Sequence, residues 1–139
     1  MDREVIEQKL SSLQRCVQRV QAALPAEAAG LEHDFDKQDI VSLNLSRAVQ
    51  LTVDMGAHLL SLQEGPAPAT MGQTFDLLAQ RGLLEQDLAS RLKKSVGFRN
   101  IAVHNYDHIN WAVVHSIVKN HLGDFSEFAR IMVTQLEMK

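Results

Sequence analysis

The chain has 139 residues, 45% hydrophobic, 22% charged and only 5% aromatic, which suits one soluble domain with its own core and favours helices over a sandwich or barrel. Its net charge of -3 argues against a broadly basic nucleic-acid binder. One cysteine, Cys16, excludes an internal disulfide, the charged start MDREVIEQKL is no signal peptide, and no apolar run approaches the roughly 18 residues of a membrane span. A reducing cytoplasm is the expected setting.

Val5, Ile6, Leu10, Leu13, Val17, Val20 and Leu24 recur at spacings of three and four, which predicts an amphipathic helix over residues 2–24, ended by Pro25 and the small residues up to Gly30. The acidic stretch LEHDFDKQD places carboxylates where a helix dipole favours them, at the start of a second helix over about 36–63. Its candidate core residues are Ile40, Leu43, Leu51, Met55, Leu59 and Leu62. Glu64-Gly65-Pro66-Ala67-Pro68 is a loop. Thr70 and Gln73 fit a capping box for a short helix carrying Phe75, Leu78 and Ala79, which Gly82 would close.

Leu84, Leu88, Leu92 and Val96 then mark a helix over roughly 85–103. A break at Asn105-Tyr106-Asp107 precedes a last helix, about 109–137, which carries Val113, Ile117, Phe125, Phe128, Met132 and Leu136. Nothing alternates as a strand would. The expected architecture is all-α: an antiparallel four-helix bundle with one short extra helix, filling residues 1–139 as a single domain.

Charge is unevenly spread. Between Ala89 and Asn105 stand Arg91, Lys93, Lys94 and Arg99 with no acidic residue, so the other 122 positions hold 10 basic and 17 acidic side chains. Such a stretch is either a local phosphate site or a solvated helix face.

The segment from Gly97 to Asp107 concentrates chemistry where a helix meets a connection: a fixed cation (Arg99), an amide (Asn100), an imidazole (His104) and the only tyrosine in the chain (Tyr106). On a continuous helix Arg99 and His104 stand about 140° apart. They converge if the helix ends near Val103 and the chain turns back, or if two subunits pool their copies. Asp54 and His58, four apart on the second helix, are an auxiliary polar pair or an ordinary exposed one. His104 and His108 have metal-ligand spacing only on an unbroken helix, and no Cys/His or carboxylate cluster supports a metal. His33, His115 and His121 read as structural, Cys16 as packing, and Trp111 as packing at the start of the last helix or at a dimer seam.

The spacing Arg99-x4-His104-x-Tyr106, with Asn100 after the arginine, resembles the signature of HepT-like toxins of the HEPN superfamily. The likeness extends through LSRAVQLTVDMGAHLL, the Gly/Pro loop and TFDLLAQRGLLEQDLASRLKKSVGFRN, covering about residues 35–135. It implies a HEPN-like fold and a metal-independent, cofactor-free endoribonuclease that acts as the toxin of a type II toxin–antitoxin pair. His104 would be the base for the 2′-hydroxyl, Arg99 the stabiliser of the anionic phosphorane, and Asn100 the residue orienting phosphate or Arg99. The resemblance further implies a homodimer with both motifs in one cleft, and a nucleotidyltransferase antitoxin that silences the toxin by transferring AMP to Tyr106. The same cation and imidazole would also serve a non-catalytic nucleotide- or substrate-binding partner of a nucleotidyltransferase.

Overall fold

The structure, a computed structural model, describes residues 3–138, so the expected first helical residue at position 2 lies outside it. Among the described residues there are seven α-helices and no strand: α1 (Arg3–Ala23), α2 (Ala28–Glu32), α3 (Phe35–Ser61), α4 (Met71–Gln80), α5 (Gln86–His104), α6 (Trp111–His121) and α7 (Gly123–Glu137), with a 3-10 turn at Tyr106–His108.

Helix α3 is the mast of the fold and packs against α1, α2, α4, α5 and α7. Asp34 begins it, its carboxylate accepting the Lys37 amide at 3.1 Å and so satisfying one otherwise orphaned donor of the first turn. Because neighbours surround it, α3 buries far more than one stripe: Val41, Leu45, Val49, Met55 and Leu59, and also Ser42, Asn44 and Thr52. The Asn44 amide donates to the Ile40 carbonyl and the Thr52 hydroxyl to the Val49 carbonyl, both at 2.8 Å, which removes the cost of burying them. Leu43 and Leu62, expected inside, are 50% and 41% exposed. A stripe read at helical period locates one buried face, and a helix enclosed on several sides chooses its outward residues by its neighbours' positions.

The core runs through every long helix. Phe75 of α4 meets Phe128 of α7 edge-on at 6.5 Å, and both are fully buried beside Leu13, Val20 and Leu92; side chains of this size each contribute about 1.5–3 kcal/mol on burial. Gly56 lets α3 and α4 approach closely, since a Cβ there would stand 2.9 Å from a Leu78 methyl. Thr70 caps α4 as expected, accepting the Gln73 amide at 3.1 Å, while the Gln73 side chain reaches back to the Ala69 amide rather than to the cap residue itself. Gly82, at φ 74, closes α4.

Two features depart from the sequence reading. Helix α2 is too short to show periodicity, and it is held by buried Leu31 and by contact with α6. The expected last helix is two helices: Leu122 ends α6 and Gly123 opens α7. Both segments stay right-handed through the junction, a bend at a residue of low helix propensity rather than a loop.

Candidate active site

The site is built where α5 stops. The Asn105 amide still bonds the Ile101 carbonyl at 2.8 Å, but Asn105 itself leaves helical geometry at φ -143, ψ 50. One 3-10 turn follows, closed by the Ile109 amide on the Tyr106 carbonyl at 3.1 Å. Asn110 then caps α6, its side chain accepting the amides of Ala112 and Val113 at 3.1 and 3.2 Å. The break expected at Asn105 is present, and α5 ends at His104, one residue beyond Val103.

This geometry fixes Tyr106. Its ring stacks edge-on against Trp111 at 5.7 Å, and its hydroxyl donates to Asp39 Oδ1 of α3 at 2.7 Å. Desolvation, then the bond to Asp39 and the charges of Asp39 and Asp107, push the phenol well above its ordinary value, so the hydroxyl stays protonated far into alkali. Sequence reading missed Asp39. Its position among the acidic residues at the start of α3 marked it as a helix-start charge, and nothing local ties it to a residue 67 positions away.

His104 is the last residue of α5 and is exposed. Arg99, half-buried on the same helix, donates to Asn100 Oδ1 at 3.4 Å and has no carboxylate partner among the described residues. Both residues therefore remain on one continuous helix, about 140° apart by helical geometry, so the turn after Asn105 does not by itself fold His104 back over Arg99.

The basic stretch is partly neutralised by folding. Arg91 makes two 3.1 Å bonds to the Asp124 carboxylate, and Lys93 pairs with Asp76 at 2.7 Å, which leaves Lys94 and Arg99 free of ion pairs among the described residues. Asp54 and His58 do not bond each other. Asp54 accepts from Gln50 at 2.8 Å and stands 3.7 Å from Lys9, while His58 Nε2 is buried without a partner. At 1.5 Å per residue Asp54 lies roughly 22 Å along α3 from Asp39, distant from Tyr106 within the same chain. His115 is structural, its Nε2–H donating to the Pro25 carbonyl at 2.8 Å, and Cys16 is buried in the core. Trp111 packs at the start of α6.

The fold and site define a HEPN-like helical protein, and comparison with known proteins agrees. The structure superposes with TM-score 0.88 on the tri-AMPylated HEPN toxin of Shewanella oneidensis solved in complex with its MNT antitoxin, at 36% identity over 96% of this chain and 99% of that one. A toxin–antitoxin complex with AMP-PNP matches equally well, at TM-score 0.88, 35% identity and 94% of this chain. YutE of Bacillus subtilis shares the fold at TM-score 0.83 with 15% identity. In sequence, the mRNA nuclease HepT of Shewanella oneidensis is 36% identical over 93% of this chain and 96% of its own length. Residues 6–132 match the family described as Ribonuclease HepT-like. The chain belongs to that family.

Proposed function

We propose that this protein is the ribonuclease toxin of a toxin–antitoxin pair, cutting RNA with Arg99, Asn100 and His104 and silenced by AMP transfer to Tyr106 from a nucleotidyltransferase antitoxin. The observation that carries this reading is the end of α5. There an exposed imidazole, a guanidinium without an ion-pair partner among the described residues and a hydroxyl held by a carboxylate fall within about two helical turns. Membership of a ribonuclease family and likeness to an mRNA nuclease support the substrate class, and likeness to a toxin solved with an MNT antitoxin supports the partner.

In this mechanism the 2′-hydroxyl attacks the adjacent phosphorus as His104 takes its proton, the bond from phosphorus to the 5′-oxygen breaks, and that oxygen takes up a proton from solvent water. Arg99 pairs with the charge gathering on the phosphorane, and Asn100 orients Arg99. These groups supply base and electrostatic stabilisation without a metal ion. Control acts through Tyr106. Its oxygen attacks the α-phosphorus of ATP bound to the antitoxin, pyrophosphate leaves, and the phenolic proton passes to Asp39, which already accepts it in a hydrogen bond. The added phosphate brings negative charge beside Arg99 and His104 and repels RNA.

A homodimer completes the site. Ile101 of α5 and Val113 of α6 are 43% and 51% exposed and line one groove with Phe98 and Ile109. A second copy covering this apolar face would bring the second Arg99–His104 pair to the first and resolve their angular separation on one helix.

Incubating the purified chain with single-stranded RNA in EDTA tests the chemistry. Wild type should cut it, leaving 2′,3′-cyclic phosphate ends and sparing DNA, while His104→Ala and Arg99→Ala should not cut and should keep the wild-type circular dichroism spectrum. Inhibition by the chelator, or normal cutting by His104→Ala, would refute the mechanism.

A further inference from the structure

A second cationic surface lies outside the motif. Arg15 and Arg19 of α1 and Arg47 of α3 line one groove of about 390 Å³ together with Asp39, Leu43 and Asn44. All three arginines are exposed, and among the described residues none has a hydrogen bond or ion pair to its guanidinium. By contrast Arg3, Arg81 and Arg91, and Lys9 and Lys93, are all engaged by carboxylates or backbone carbonyls. The three charges converge on one locality: burial pushes the Cys16 thiol up, and Arg47, Arg15 and Arg19 are the groups that pull it back. The one carboxylate in the groove, Asp39, is already committed to the Tyr106 hydroxyl. Through Asp39 the groove adjoins Tyr106, in a protein whose net charge is -3.

We propose that the Arg15/Arg19/Arg47 groove binds the ribose-phosphate backbone of the RNA substrate and leads the strand to the end of α5. Guanidinium groups suit this ligand because each offers paired N–H donors to two phosphate oxygens. Arg15 and Arg19 are one helical turn apart, about 6 Å along α1, the scale of the step between phosphates in an unstacked strand. Leu43, half exposed on the groove floor, adds an apolar surface for a ribose or base. AMP on Tyr106 would stand in the path of the strand at the groove's mouth.

The inference rests on the ribonuclease reading for its substrate, and its test separates the two. A short single-stranded oligoribonucleotide with methylated 2′-hydroxyls, which this chemistry cannot cut, is bound to the full chain and followed by fluorescence anisotropy across salt concentrations. Each phosphate contact to a single strand contributes a slope of about -0.7 to log affinity against log salt, so losing three should flatten the slope by roughly 2 and weaken binding about 50-fold near 0.15 M salt. Arg15→Ala/Arg19→Ala/Arg47→Ala should show that loss, and in cleavage assays should raise KM while keeping kcat. Lys119→Ala/Arg130→Ala, which removes exposed charge on α6 and α7, should retain the wild-type slope. An unchanged slope in the triple variant, or an equal loss in the control, overturns the groove even if wild type cuts RNA. Loss of antitoxin binding by the triple variant with RNA binding intact would make the groove a protein interface and also overturn it. Failure of wild type to cut RNA would count against the ribonuclease reading alone, because the anisotropy measurement needs no cleavage.

Discussion

Asp39→Asn isolates the link between α3 and the Tyr106 hydroxyl, the proposed acceptor of AMP. In the native protein the Tyr106 O–H donates to a carboxylate at 2.7 Å, and phenol ionisation there must place a second negative charge beside the first. At about 3 Å in water-like surroundings that repulsion is roughly 1.4 kcal/mol, and loss of a charge-assisted hydrogen bond adds on the order of 1 kcal/mol. At about 1.4 kcal/mol per pH unit, the substitution should lower the phenol's midpoint by about one to two units. The shift is partial because desolvation, the largest cause of the elevation, is untouched. Tyr106 is the only tyrosine, so ultraviolet difference absorbance of the phenolate reports it alone. Wild type should show little phenolate at about pH 10, where ordinary tyrosines are half ionised, and Asp39→Asn should show clearly more. Because the phenol is elevated in the folded state, its contribution to stability is complete below about pH 10 and is lost as pH climbs through the raised value. Circular dichroism at each pH keeps unfolding out of the titration. AMP transfer should fall by roughly 10²- to 10⁴-fold in the same variant, the usual worth of a general base. A midpoint equal to or above wild type's would refute the electrostatic account, and unimpaired AMP transfer would remove Asp39 as the proton acceptor.

Tyr106→Phe should accept no AMP from the antitoxin with ATP and magnesium, as intact-protein mass spectrometry would show; label on this variant would place the modification elsewhere. Ile101→Asp/Val113→Asp should shift sedimentation toward the 15.5 kDa monomer and abolish RNA cleavage, whereas an unchanged dimer would exclude the α5–α6 face. Gly56→Ala should cost about 1–3 kcal/mol and lower Tm by several degrees in thermal unfolding, because its methyl would meet Leu78 at 2.9 Å and Thr74 at 3.0 Å inside the core.

Hydrophobic periodicity alone placed the four main helical regions, Thr70 and Gly82 marked the ends of α4, and the Arg99-x4-His104-x-Tyr106 spacing pointed to the end of α5 and to the family. These are local signals. A 3.6-residue period, a cap and a short motif are each written within a few turns of chain, where backbone geometry dictates which side chains are neighbours. Tertiary structure decided what no local pattern encodes. It joined Asp39 to Tyr106 across 67 positions, paired Arg91 with Asp124 and Lys93 with Asp76, and left Arg15, Arg19 and Arg47 around one groove. It also turned Leu43 and Leu62 outward and split the last helix at Leu122. Each of these depends on how far one helix is rotated and slid against another. That placement is set by the packing of the whole core, and so the charges meeting above it could be read only once the helices were in place.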